Sequence, residues 1–261
     1  MPDKRSNQIL EATLPALTIV LVIAVWEALV RFHGIAPIFL PAPSSIAVYL
    51  WRMIVDGTME YNLGITLLRI LVGFALAAVA GILLGVLMGM SRLAARVADI
   101  WIAAFYPLPK ISLIPLLIIW LGTGEAYKIV ISVISAFFPI VMSTYSGIRQ
   151  VDGGLLKAAK DLGADRWQIQ RKVVIPAAIP SILSGLQLGM GVTIILIVAA
   201  EMIGGSSEGG MGYLLINAGQ VMETEKVFAS LFVLAVMGAV IIKLQQWADR
   251  KLAPWIQRDD H

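Results

Sequence analysis

Few residues in this chain are equipped for chemistry. It contains no cysteine, so thiolate nucleophiles, thiolate metal sites and disulfides are excluded. The two histidines, His33 and His261, offer no pair for zinc or imidazole catalysis, and no Ser-His arrangement is visible within the apolar segments. What remains is a small set of ionisable groups inside apolar sequence, where charge is costly and faces a cavity or a partner. Lys110 follows Pro107 and Pro109 in an otherwise apolar run. It admits two readings: a positive charge that attracts an anion into a water-filled path, or a lysine that snorkels or pairs with carbonyls freed by a broken helix. Glu201 precedes Gly204 and Gly205, and either closes an external gate or anchors a loop. Arg69 and Glu27 lie near the outer edges of their segments and read as interfacial anchors.

A different kind of candidate occupies residues 147–175, which are polar and basic yet keep a helical pattern. Leu155, Ala158, Ala159 and Leu162 fall on one face, while Lys157, Lys160 and Asp161 form a charged one. Gly163 supplies a helix stop and Asp165 can cap a second helix running through Trp167, Ile169 and Gln170. Pro176 marks a turn into the next apolar segment. A short amphipathic helix with small residues is suited to lodging in a partner's groove. There is no Gly-x4-Gly-Lys-Ser/Thr loop to cradle a triphosphate.

The elements that position these residues are membrane spans. Hydrophobic residues make up 59% of the 261 and charged ones 14%, with a mean hydropathy of +0.85, far more apolar than soluble domains. Apolar stretches cover about 14–30, 70–90, 100–121, 128–145, 177–200 and 227–242, each near the length that crosses the hydrocarbon core. The first lacks a small-residue cleavage site and reads as a retained anchor. The third, broken by Pro107, Pro109 and Pro115, cannot be a straight helix. Its non-helical backbone must line a cavity or be buried, so Tyr106 to Lys110 are expected to border a translocation route. The prediction is an all-α, polytopic single membrane domain over residues 1–261 with about six spans.

Basic residues fix the sidedness. With both termini inside, Lys4, Arg5, Arg92, Arg96, Arg149, Lys157, Lys160, Arg166, Arg171, Lys172, Lys243, Arg250, Lys251 and Arg258 are cytoplasmic, fourteen of twenty. The outer segments then hold Arg31, Arg52, Arg69, Lys128 and Lys226, the last beside Glu201, Glu208, Glu223 and Glu225. The surplus of basic residues is therefore a topology signal, and nucleic acid is not an expected partner. Gly81, Gly85 and Gly89, and again Gly185 and Gly189, have the spacing of close helix packing. Trp101, Trp120 and Trp247 read as interfacial or packing aromatics.

The loop at 147–175 resembles the cytoplasmic signature of permease subunits in type I binding-protein-dependent ABC importers. That signature is Glu-Ala-Ala, three residues, Gly, nine residues, Ile, one residue, then Leu-Pro. It aligns with Lys157-Ala158-Ala159, Gly163, Val173 and Ile175-Pro176, so Lys157 departs from the family's Glu. The chain is most similar to the subgroup serving nitrate, bicarbonate, taurine and alkanesulfonates, through residues 39–43, 106–109, 114–125, 199–204 and 210–213. Tyr106 stands where that subgroup commonly has Arg. The resemblance implies the MetI-like fold and import of a small anion from periplasm to cytoplasm by alternating access. It implies a bacterial inner-membrane location, two ATPase subunits, a second permease copy, and a periplasmic binding protein received at the outer loop 201–225. ATP and Mg would bind only the ATPase, with no cofactor on this chain. Lys157, Ala158, Ala159, Leu162, Gly163 and Pro176 would form the ATPase contact. A secondary transporter or channel shares composition and sidedness but leaves the Ala-Ala and Gly loop without a purpose. An intramembrane enzyme lacks its parts.

Overall fold

The six apolar stretches become helical except for a break at 106–109 in the third. The computed structural model describes residues 4–32, 34–204 and 209–254, with side chains from residue 14 onward except Pro15. His33, Gly205, Glu208, Arg258 and His261 lie outside the described residues, as do the side chains of Lys4 and Arg5. The helices are α1 (Lys4–Phe32), α2 (Pro43–Val55), α3 (Thr58–Met90), α4 (Arg92–Phe105), α5 (Ile114–Leu121), α6 (Glu125–Arg149), α7 (Gly153–Asp161), α8 (Arg166–Ile169), α9 (Ile175–Ile203), α10 (Met211–Gln220) and α11 (Thr224–Leu252). Among the described residues four continuous helical segments are long and apolar enough to cross a membrane: Thr58–Met90, Glu125–Arg149, Arg166–Ile203 and Thr224–Leu252. A fifth crossing is available if α4 and the segment Lys110–Leu121 form one span bent by 85°. The bend falls at Pro107 and Pro109, as their missing donors require. A short 3-10 turn, Lys110–Leu113, restarts the chain after it.

The chain forms two compact units, Met1–Tyr61 with Leu214–Leu234, and Asn62–Tyr213 with Ala235–His261. In the first, the Glu27 carboxylate binds Arg31 Nε at 2.5 Å, the Ser44 backbone N–H at 3.0 Å and the Ser44 hydroxyl at 2.8 Å, pinning α1 to the start of α2. Trp26 tilts against Phe228 with ring centroids 5.8 Å apart. Thr224 Oγ1 donates to Ile38 O at 2.7 Å, tying the loop before α2 to the start of α11.

The second unit is organised on α6. On one side α3 presents Gly73, Gly81, Gly85 and Gly89; on the other α9 presents Gly185 and Gly189. At Gly85 an added Cβ would lie 2.6 Å from Thr144 Cβ and 2.9 Å from Val141 O, and at Gly185 2.6 Å from Ser143 Cβ. These are backbone-to-helix approaches that a side chain would forbid, and in lipid such dispersion contact replaces the missing hydrophobic drive between spans. Ala77, Ala136 and Ile140 are fully buried at this seam. Leu83, Leu188 and Ile195 face outward and exposed, as lipid-facing positions do.

One expectation is corrected here. Pro176 does not turn the chain: helix runs unbroken from Arg166 to Ile203. A π-helical stretch, Gln170–Val174, precedes α9, and Pro176 sits in the first turn of α9. The wider π turn makes room for the ring and re-registers the carbonyls just where proline has no N–H to donate. Lys128, which opens the fourth apolar stretch, is buried. It lies in the first turn of α6, 1% exposed, with Nζ 3.4 Å from Glu125 Oε1.

Candidate functional site

Three places in the second unit carry the residues singled out by sequence. The first is the helical hairpin between α6 and α9. Asp152 N-caps α7, its carboxylate accepting the Gly154 N–H at 2.8 Å. At the other end Gly163 adopts φ +82°. Its N–H bonds Lys160 O at 3.0 Å, and the Ala164 N–H bonds Ala159 O at 3.0 Å. This 5→2 and 6→1 pair is a Schellman stop, which needs a left-handed residue at the glycine position. Asp165 then caps α8 in a full capping box with Gln168, donor and acceptor distances being 2.8 and 3.1 Å. The apolar face divides. Leu156 packs inward beside Ile148, Val174 and Ala178. Leu155, Ala158 and Leu162 face solvent, Leu162 being 88% exposed, and Trp167 stands 66% exposed beyond the turn. Lys157 is also exposed, whereas Ala159 is half-buried. Rigid caps at both ends thus hold an apolar edge outward, and none of the described residues covers it.

The second place is the break between α4 and α5. Tyr106 C-caps α4 and is 49% exposed. Lys110 Nζ donates to Tyr106 O at 3.1 Å and sits 5.3 Å from the Tyr106 ring centroid and 5.4 Å from that of Phe138. Carbonyl pairing and the negative faces of two rings stabilise the half-buried ammonium. α4 ends at Phe105, so the Tyr106 carbonyl lies beyond the helix ladder and is free to take this bond, and Pro107 and Pro109, which have no N–H to donate, keep the helix from continuing.

At the third place, sequence singled out Glu201 and Arg69 separately and did not join them. Arg69 is 2% exposed and buried in α3, which overturns its reading as an interfacial anchor. Its guanidinium donates from Nη1 to Glu201 Oε1 at 2.7 Å and to Gly209 O at 2.9 Å, and from Nε to Glu125 Oε2 at 2.7 Å, with Nη2 closing a second bond to Glu125 Oε1. Glu201, equally buried, accepts further bonds from Thr66 Oγ1 at 2.9 Å and the Gly212 N–H at 2.9 Å. Thr66 Oγ1 accepts the Met211 N–H at 2.8 Å, and Asn62 Oδ1 accepts the Gly210 N–H at 2.9 Å. The fork of one arginine therefore joins α3, α6 and α9 and clamps the backbone at 209–212 that opens α10. Gly210 and Gly212 allow this: a Cβ on Gly212 would lie 2.8 Å from Glu201 Cβ. Tyr127 adds a tie from its hydroxyl to Ala200 O at 3.0 Å. Of the two readings of Glu201, the loop anchor describes its contacts. A signal existed in sequence: Glu125, Glu201 and Gly210–Gly212 end or centre three of the motif segments noted above, 114–125, 199–204 and 210–213.

Comparison with known proteins fits this architecture. A family model described as binding-protein-dependent transport system inner membrane component matches residues 77–256. A Bacillus subtilis (strain 168) protein named for aliphatic sulfonate transport is 34% identical, the match covering 93% of this chain and 86% of the relative. The taurine transport system permease protein of Escherichia coli (strain K12) is 32% identical, over 94% of this chain and 90% of its own length. Among solved structures, a chain of an amino acid ABC transporter superposes with a TM-score of 0.61 at 19% identity, covering 79% of this chain and 98% of that one. A chain of the inward-facing methionine ABC transporter does so with a TM-score of 0.56 at 24% identity, covering 74% and 93%. The helical fold, the multi-pass apolar spans, the capped loop and these matches together place the chain in the family of inner-membrane components of binding-protein-dependent transport systems, the permease subunits of ABC importers.

Proposed function

We propose that this permease carries a small organic anion of the sulfonate class from periplasm to cytoplasm by alternating access, with both termini in the cytoplasm. ATP and Mg are used by two separate ATPase subunits, a second copy of the chain completes the pathway, and a periplasmic binding protein delivers substrate at the outer connection between α9 and α11. The observation that carries this reading is the uncovered apolar edge of Leu155, Ala158 and Leu162, held between two capped ends and flanked by Lys157. A helix of that kind fits a groove on an ATPase, whose closure on ATP would move α6 and α9 through their rigid junctions with the loop. Lys157, Ala158, Ala159, Leu162 and Gly163 form the contact, while Pro176 acts one step back, by seating α9 on its π turn. The substrate class is supported by the relatives, two of which are named for solutes bearing a sulfonate group.

In proteoliposomes holding the permease, its ATPase and binding protein, uptake of ethanesulfonate is expected to require internal or external ATP on the ATPase side and to vanish without the ATPase. Equal uptake by the permease alone would identify a carrier or channel instead. Tyr106, Pro107, Pro109 and Lys110 border the path in this reading, and Glu201 holds its outer end. Replacing Lys110 with alanine removes the one cation at the break and is expected to raise the uptake KM roughly tenfold by weakening anion attraction. An unchanged concentration dependence would take Lys110 off the path.

A further inference from the structure

A cavity of about 740 Å3 opens beside the junction of α3 and α4, and four arginines line it: Arg92 and Arg96 of α4, Arg149 at the end of α6 and Arg166 at the start of α8. Ser91, Tyr145 and a single carboxylate, Asp99, complete its polar wall. Arg92, Arg96 and Asp99 are spaced to share one edge of α4. Among the described residues none of these four arginines makes an ion pair, and Asp99 neutralises none of them at bonding distance. Four guanidinium groups and one carboxylate leave a local charge of +3 around one cavity. All four arginines are exposed, so water and salt screen part of their mutual repulsion, and an oxyanion seated among them would relieve the remainder. Guanidinium groups are planar forks whose donors match the oxygens of phosphate and sulfonate groups.

We propose that this cavity is a binding site for an oxyanion of the phosphate or sulfonate type, bridging the α4 arginines to the two arginines that flank the α7 loop. Arg149 lies just before that loop and Arg166 just after it, so an occupied site ties α4 to both ends of the segment proposed to contact the ATPase. Two sources carry this chemistry: the headgroup of an anionic phospholipid, and a free oxyanion such as a departing substrate. The inference rests on the importer reading only for the side of the membrane on which the cavity opens.

The test is made on the purified full-length chain without its ATPase, where failure leaves the uptake reading untouched. Ethanesulfonate, inorganic phosphate and short-chain phosphatidylglycerol are titrated separately and binding is read by calorimetry and native mass spectrometry. Saturable binding of at least one is expected, weakening as salt rises. The affinity should fall at least tenfold in an Arg92→Gln/Arg149→Gln variant, recover only in part in Arg92→Lys/Arg149→Lys, and stay unchanged in Lys243→Gln. Phosphatidylglycerol binding with silent free anions assigns the site to a lipid headgroup, and the reverse assigns it to a solute. Both support the site. Binding of none of the three, or binding equal in the Gln variant, overturns it.

Discussion

Replacing Gly163 with valine is expected to cut ATP-dependent uptake at least tenfold while the assembled complex continues to hydrolyse ATP. The glycine holds φ +82° with open space around its missing Cβ, so the penalty arises from backbone geometry and not from a clash. A β-branched residue in that region costs of order 1–3 kcal/mol, enough to favour unwinding of the stop. Loss of the stop releases the bonds from Gly163 and Ala164 to Lys160 and Ala159, and the outward edge at Leu162 loses its fixed direction. Asparagine tolerates the left-handed region better than other side chains. Gly163→Asn should therefore keep most of the uptake that Gly163→Val loses. If both variants transport normally, the stop has no part in coupling.

Arg69→Ala is expected to be the most destabilising single substitution in the second unit. It strands the buried Glu201 carboxylate and leaves Gly209 O without its donor. Breaking a buried ion pair from one side costs about 3–5 kcal/mol, which corresponds to a drop of roughly 10 °C in the apparent Tm of a chain of this size. Lysine at the same position is a point charge that cannot fork between Glu125 and Glu201, so Arg69→Lys should recover only part of the loss. Thermal unfolding in detergent reads both variants. A double-mutant cycle with Glu201→Gln separates the pair from the rest of the network, and a coupling near zero would show that the clamp does not hold α10.

What the sequence made legible was local. Gly163 as a stop, Asp165 as a cap and Pro107 with Pro109 as a break each depend on a residue and its near neighbours, and each took the expected form. The apolar stretches were legible for the same reason, although α3 and α11 extend well past them. The clamp was not. Its partners are separated by 56 residues from Arg69 to Glu125 and 132 from Arg69 to Glu201, and an arginine near the end of an apolar run has the same signature whether it reaches headgroups or a buried carboxylate. Pro176 misled because a proline after a polar loop usually begins a new element, whereas here a π turn absorbs it within one helix. The short helix α10 was hidden because Gly209 to Gly212 read as loop, although their role is to let backbone N–H groups reach Asn62, Thr66 and Glu201.

Coupling of α7 to a separate ATPase is the claim on which the transport reading stands. With no native cysteine in the chain, Leu162→Cys introduces a single reporter at the most exposed point of the apolar edge. In the full complex, a maleimide–benzophenone reagent attached to this cysteine is predicted to photocrosslink to the ATPase subunit by inserting into a C–H bond, and the same reagent on a Trp120→Cys reporter on α5 is predicted not to. Absence of the Leu162→Cys crosslink, in a complex that still imports with ATP, would contradict the account.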